Sequence, residues 1–260
     1  MGFFFGMRQM NNTALITGIS RGLGRGLAEV FSAEGFRVLG CSRTGEVFNT
    51  NIHHQACDLS QTAQINHCLE TLLANVTSLD VVILNAGIVG DIKDMSMTSV
   101  EELEKMMTVN VWSNKLILDY LLQSAIQIGQ IILMSSGAAV LGSRGMGGYA
   151  LSKAALNMLT KLYAHEFAST HIVSIAPGLI DTDMMNYLCN DTDSETFPAL
   201  QRLKDARGTD SMQTPEVAAR KILESLPALK NFASGSFVDL RQIFAPHEYA
   251  ELMKISKTPN

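Results

Sequence analysis

The chain has 260 residues, a formal net charge of -5, a 47% hydrophobic composition and an aromatic share of only 7%. The length suits one open α/β domain. The acidic balance argues against a basic stripe for nucleic acid, and the Phe3–Phe5 run is too short to span a bilayer. Residues 1–11 read as a flexible extension with no small-residue cleavage site, so a cytoplasmic protein without a membrane anchor is expected.

In chain order, short apolar runs alternate with amphipathic stretches. Thr13–Thr17, Phe36–Cys41, Ile52–Cys57, Leu79–Leu84, Gln130–Ser135, His171–Ala176 and Gly235–Leu240 read as strands. The first helix follows the first strand: Leu23, Leu27, Val30 and Phe31 recur at helical spacing and Gly35 ends it. Runs such as Ala14-Leu15-Ile16 and Val81-Val82-Ile83-Leu84 suit strands buried on both faces. Repeated strand–helix units with right-handed crossovers predict a doubly wound, Rossmann-type α/β fold, a seven-stranded parallel sheet in one domain over residues 12–260. The stretch 183–213 is polar, with a short helical piece around Ala199–Lys204, and is expected to form a lid over the ligand crevice. The 14 methionines read as core gap-fillers. The four cysteines, Cys41, Cys57, Cys68 and Cys189, form no CxxC pair and read as buried, reduced thiols. No metal is expected: His53, His54, Cys57 and Asp58 lie along a strand, where side chains alternate between faces rather than converge on an ion.

Between the first strand and first helix runs Thr17-Gly18-Ile19-Ser20-Arg21-Gly22-Leu23-Gly24. Glycines there permit a tight turn and close backbone approach to a pyrophosphate, and the helix presents free N–H groups and its positive dipole end. This TGxxxGxG spacing resembles the signature of the short-chain dehydrogenase/reductase family. The second strand ends Ser42-Arg43-Thr44 without the carboxylate that selects NAD(H). Arg43 and Arg21 offer planar cations to a 2′-phosphate, and the resemblance implies NADP(H) from basic residues at these two places. It also implies that Asp58-Leu59 meets the adenine ring, that Asn85-Ala86-Gly87 packs near the cofactor, and that Pro177-Gly178-Leu179-Ile180-Asp181-Thr182 reaches the nicotinamide through Thr182.

Tyr149-Ala150-Leu151-Ser152-Lys153 places a phenol and an ammonium one helical turn apart. A neighbouring cation favours the phenolate and makes tyrosine a better acid–base group near neutrality. Ser136, thirteen residues before Tyr149, is expected at a strand's carboxyl end, where its hydroxyl holds a carbonyl oxygen. The family spacing selects Ser136 over Ser135, implies Asn110 as support for a water relay to Lys153, and implies that Lys153 binds the nicotinamide ribose. These motifs imply an NADPH-dependent reductase of a small-molecule carbonyl substrate, with Tyr149 as proton donor. The family resemblance spans Asn12–Leu240, and segments of the C-terminal third, among them Pro177–Met184, Leu200–Lys204, Ala218–Leu223 and Ser234–Asp239, further resemble the sepiapterin- and benzil-reductase branch. There Asp239, in Ser234-Gly235-Ser236-Phe237-Val238-Asp239, is expected to bind a guanidine-like substrate edge; a helix-capping or strand-end carboxylate is the equal alternative. Relatives imply a homodimer, or a tetramer. Two other readings stay open: a sugar-nucleotide epimerase or dehydratase of the family's extended branch, and a non-catalytic dinucleotide-binding redox sensor.

Overall fold

The computed structural model describes residues 12–45, 50–190 and 192–255; the extension expected at residues 1–11 lies outside them. In chain order the elements are β1 (Thr13–Thr17), α1 (Gly22–Ala33), β2 (Arg37–Ser42), β3 (Ile52–Ala56), α2 (Ile65–Leu72) and β4 (Ser78–Leu84). There follow α3 (Val100–Met107), α4 (Ser113–Gln123), β5 (Gln127–Met134), α5 (Ala138–Leu141), α6 (Gly147–Tyr163) and β6 (His171–Ala176). The last part comprises β7 (Leu179–Ile180), α7 (Asp183–Asn190), α8 (Pro198–Ala206), β8 (Met212–Gln213), α9 (Pro215–Leu229), β9 (Phe237–Asp239), α10 (Arg241–Phe244) and α11 (Pro246–Ile255).

Seven strands form one sheet in the order β3-β2-β1-β4-β5-β6-β9, every pair parallel. Strand alternation splits the core across its two faces. Ala14, Ile16, Val81, Ile83, Ile132 and Val173 pack with α1 and α9 on one side. Leu15, Val82, Leu84, Ile131, Leu133 and Ile172 pack with α2, α4 and α6 on the other. Because both faces are covered, the central strands read as unbroken apolar runs rather than alternating ones. The order reverses beside β1, between β2 and β4, opening the crevice where such sheets bind ligands at their carboxyl ends.

Two expectations need correction. The fifth strand begins at Gln127 rather than Gln130: Gly129 lies within it, where a Cβ would fall 2.6 Å from the Asp80 carbonyl oxygen. The polar stretch after residue 183 holds two helices, α7 and α8, and the short strand β8, which pairs with β7 in a second, two-stranded parallel sheet. Among the described residues no helix is long and apolar enough to cross a membrane.

Candidate active site

The glycine turn is built by backbone constraint. Gly18 and Gly22 have φ of +77° and +52°, a region that side-chain-bearing residues rarely adopt. A Cβ on Gly24 would fall 2.0 Å from the Gly18 carbonyl oxygen and 2.6 Å from Asn85 Nδ2. The turn is also tied to the neighbouring strands. Thr17 Oγ1 accepts from the backbone N–H groups of Asn85 and Ala86 at 3.0 Å each, and Asn85 Nδ2 donates to the Thr17 carbonyl at 3.0 Å. The Gly18 N–H donates to the Cys41 carbonyl at 2.7 Å. Arg21 sits at the N-cap of α1 without a side-chain capping hydrogen bond, and no acidic residue stands in the first turn. A helix start of this kind, with orphan N–H groups and no competing carboxylate behind a turn that only glycine can form, fits a dinucleotide pyrophosphate. Half-buried Ser20 and buried Leu23 complete the turn. Gly24→Ala is expected to force the turn apart, cost about 2–4 kcal/mol and weaken dinucleotide binding at least tenfold. Thermal unfolding and a binding titration measure both; unchanged affinity would contradict this account of the turn.

At the ribose edge, Ser42 is turned inward: its hydroxyl donates to the Thr44 carbonyl at 2.9 Å and lies 2.8 Å from His54 Nε2. Arg43 is exposed. Asp58 accepts from the Ser60 N–H at 3.0 Å, which with the more distant Arg43 charge holds its carboxyl below the usual range against the opposing effect of burial. Leu59 is buried beside it. Arg21 reaches across to Asp183, the first residue of α7, at 3.4 Å. Thr182 Cγ2 lies 3.2 Å from where a Gly22 Cβ would be, so the segment after β7 sits on the glycine turn. The Thr182 hydroxyl accepts from the Met185 N–H at 3.4 Å and starts α7. Gly178 turns the chain with φ +92° after Pro177, and Ile180 is buried.

The reactive side chains converge at the carboxyl end of β5. Ser135 is buried, its N–H donating to the Ile175 carbonyl at 2.8 Å, whereas Ser136 is half-buried. Burial pushes the Tyr149 phenol above its ordinary value, and the nearby Ser136 hydroxyl pulls it down by a smaller amount. Lys153, one turn further along α6, is 3% exposed. Its Nζ donates to the Met134 carbonyl at 2.7 Å and stands 5.6 Å from the Tyr149 ring centroid. Burial holds this ammonium down to about 8. Burial thus dominates the phenol, and the expected downward pull of Lys153 is not among the causes of its shift; the ammonium stands 5.6 Å from the ring centroid.

Asn110 is fully buried in a wide π-type turn, Thr108–Trp112, joining α3 to α4; such turns recur at functional sites. Its Oδ1 accepts from the Ile88 N–H at 2.8 Å, and its Nδ2 donates to the Ile88 carbonyl and Ser152 Oγ at 2.9 Å each. A Cβ on Gly87 would meet both Asn110 Oδ1 and Lys153 Nζ at 3.2 Å. Asn110 thus fixes the chain after β4 against α6 at the level of the lysine.

A cavity of about 190 Å³ opens beside Tyr149, walled by Ile88, Val89, Ile92, Met106 and Met146. Sequence reading missed this wall, although the apolar pair following Gly87 signals it. Phe197 and Leu200 of the α7–α8 segment pack over it with Val89, Ile92 and Met146. Arg144 holds the rim, donating to Asp94 through Nε at 2.6 Å and Nη2 at 2.7 Å, with its guanidinium 5.6 Å from the Phe197 ring centroid. Asp239, expected to face substrate, is 2% exposed and accepts from the Arg241 backbone N–H, Nε and Nη2. Its carboxylate is occupied by a guanidinium of its own chain.

Fold and site together define a dinucleotide-binding oxidoreductase architecture with a Ser–Tyr–Lys group at the sheet's carboxyl edge. Residues 12–193 match the family model described as short chain dehydrogenase, and the chain belongs to that family. It is 31% identical over 191 residues to 3-oxoacyl-[acyl-carrier-protein] reductase FabG of Escherichia coli K12, covering 68% of this chain and 77% of that protein. It is 27% identical over 240 residues to benzil reductase ((S)-benzoin forming) of Bacillus subtilis 168, covering 88% and 98%. Among solved structures, the KRED1-Pglu enzyme superposes with a TM-score of 0.75 at 25% identity, covering 87% of this chain and all 100% of that one. The same fold is found in ElxO with NADP bound (TM-score 0.72, 24% identity, 89% and 97% covered). It is also found in a 3-ketoacyl-(acyl-carrier-protein) reductase from Brucella melitensis complexed with NADH (TM-score 0.72, 22%, 88% and 96%). The fold alone thus leaves the choice of dinucleotide to the residues of the ribose edge.

Proposed function

We propose that this protein is an NADPH-dependent carbonyl reductase acting on a ketone or vicinal dicarbonyl. The observation that carries the reading is the convergence of Ser136, Tyr149 and buried Lys153 at the end of the sheet where the glycine turn offers its uncapped helix: Lys153 Nζ donates to the Met134 carbonyl, two residues before Ser136, and stands 5.6 Å from the Tyr149 ring centroid. A bound nicotinamide supplies the hydride. The chain's own residues supply the rest. Ser136 holds the substrate carbonyl oxygen, and Tyr149, a protonated phenol at neutral pH, donates its proton to that oxygen as negative charge develops there. Lys153 sits over the phenol ring and favours the phenolate left behind, while Asn110 keeps the lysine's surroundings in register. The lid formed by residues 183–213 excludes water through Phe197 and Leu200. The benzil and 3-oxoacyl substrates named for the two relatives are both ketones, which supports the reaction class. NADPH oxidation is expected with a panel of vicinal diketones and simple ketones; dinucleotide binding without turnover of any of them favours the redox-sensor reading instead.

Arg43 at the ribose edge, exposed and unopposed by a carboxylate at the end of β2, supports NADPH. Arg21 joins it by leaving Asp183, an exposed ion pair that contributes little by itself. Arg43→Asp is expected to lower kcat/KM for NADPH about 10–100-fold, the worth of charge-assisted phosphate hydrogen bonds. NADH kinetics should change far less. Equal losses with both dinucleotides would place Arg43 outside the phosphate site.

Leu151, Met158 and Leu162 form an exposed stripe along α6 (52%, 56% and 54% exposed), and Trp112 and Leu122, at the two ends of α4, are exposed as well. This apolar face supports a homodimer through paired helices, with a tetramer as the alternative that sedimentation separates. The four buried cysteines, all free thiols, support a cytoplasmic location.

A further inference from the structure

The ribose edge holds a hydrogen-bonded chain that the proposed chemistry does not use. β2 and β3 pair with Gly40 opposite His54 and Ser42 opposite Ala56, so His54 and Ser42 stand on one face of the sheet, one pleat apart. His54 Nε2 lies 2.8 Å from Ser42 Oγ, and Ser42 Oγ donates to the Thr44 carbonyl at 2.9 Å. A hydroxyl has one proton to give. A carbonyl can only accept, so that proton goes to Thr44, and the other bond runs from His54 Nε2–H to the Ser42 oxygen. The Ser42 carbonyl is also engaged, accepting from the Cys57 N–H at 2.9 Å. Gly45 closes over the ring: a Cβ there would fall 2.8 Å from His54 Nδ1 and 2.9 Å from Cε1. Ser42 is 7% exposed, whereas Arg43, between the two tied residues, is exposed.

We infer that His54 sets the dinucleotide preference as a positioning residue: through Ser42 it fixes the turn 42–45 and so aims Arg43 at the 2′-phosphate. This rests on the NADPH reading and deepens it. The cause is conformational. Gly45 gives the turn many accessible backbone states, and binding a phosphate on a loose turn costs the entropy of ordering it. The tie from His54 removes that cost before the cofactor arrives. It also sets the turn relative to the pyrophosphate seat, because the Gly18 and Ile19 N–H groups donate to the carbonyl of Cys41, the residue before Ser42, at 2.7 Å and 3.4 Å. Ser42, with its proton committed inward, acts through the turn rather than as a phosphate donor. A dinucleotide with a free 2′-hydroxyl has no phosphate for Arg43 to grip and is indifferent to the tie.

The test measures Kd for NADPH and for NADH by titration of wild type, His54→Leu, His54→Gln, Ser42→Ala and the double variant His54→Leu/Ser42→Ala, with thermal unfolding confirming that each is folded. In His54→Leu the preference for NADPH over NADH is expected to fall about five- to tenfold, the worth of a neutral hydrogen bond, through NADPH affinity alone. His54→Gln keeps a side-chain N–H donor and should recover most of the preference. Ser42→Ala should match His54→Leu, and the double variant should fall no further than either single one, because the two residues act as one unit. A merely structural role would weaken both dinucleotides alike and leave the preference intact, which overturns the inference. So does a double variant whose losses multiply, since Ser42 would then meet the phosphate independently of His54. If wild type prefers NADPH and His54→Leu keeps that preference, only this inference fails. If wild type prefers NADH, the NADPH reading falls and takes this one with it.

Discussion

Tyr149→Phe is expected to lower kcat for ketone reduction by about 10³-fold, within the range for loss of a positioned general acid, with dinucleotide affinity unchanged. The change removes one hydroxyl, the proposed proton source, which lies near Ser136. The glycine turn, the ribose edge and Lys153 stay where they are. Residual turnover should come from binding and orientation alone. Single-turnover kinetics and a binding titration on the same preparation separate the two effects. A variant that reduces substrate at the wild-type rate removes Tyr149 from the chemistry, and one that loses dinucleotide binding shows that the phenol acts through the cofactor site.

Lys153→Met is expected to move activity and stability in opposite directions. Burial holds the ammonium down to about 8, against an ordinary 10.5. Because the folded-state value is depressed, the unfolded chain binds the proton more tightly between those limits, so below pH 8 the folded protein bears the full cost of keeping this group charged. That cost is about 3 kcal/mol by linkage, partly offset by the hydrogen bond to Met134, worth about 1 kcal/mol. Without cofactor, Lys153→Met should therefore be more stable than wild type by about 1–3 kcal/mol at pH 7. The advantage should shrink as pH rises from 8 and vanish above 10.5, while turnover is lost at every pH. Denaturant unfolding of both proteins at pH 7 and pH 10 checks it; a variant less stable at pH 7 shows that the lysine stabilises the folded chain. A destabilising charge held at a site that folding alone does not require is what a functional residue looks like energetically.

How much of this was legible beforehand follows from where side-chain pattern and backbone geometry coincide. β1 and β4 announce themselves because strands covered on both faces carry unbroken apolar runs, Ala14-Leu15-Ile16 and Val81-Val82-Ile83-Leu84, and α1 because its buried stripe repeats at 3.6 residues. The glycine turn is legible for a steric reason: Gly24 has no room for a Cβ. Ser136, Tyr149 and Lys153 come together as their spacing implies. The choice of Ser136 over Ser135 has a physical counterpart, since Ser135 is buried and tied to β6. The pairing of β7 with β8 escapes notice because two-residue strands carry no period. The helix α7 had a readable stripe in Met185, Leu188 and Cys189, hidden by the polar residues that follow it. Least legible was the fate of Asp239. Its position suggests a substrate ligand, but only coordinates show that Arg241 folds back onto it, since nothing in a sequence ranks an internal guanidinium against one on a ligand. The tuning of the pair on α6 was also misjudged: spacing shows that phenol and ammonium share a face, but not that burial dominates the phenol.

The most direct test of the central claim follows the hydrogen itself. Wild-type protein is supplied with NADPH deuterated at nicotinamide C4, on either face, and a vicinal diketone, and the product is read by mass spectrometry and proton NMR. The account predicts one deuterium on the new carbinol carbon from one of the two labelled faces, none from the other, and no labelled product with Tyr149→Phe on the same timescale. Product without deuterium from either face, or tight NADPH binding with no carbinol formed from any ketone offered, would contradict it.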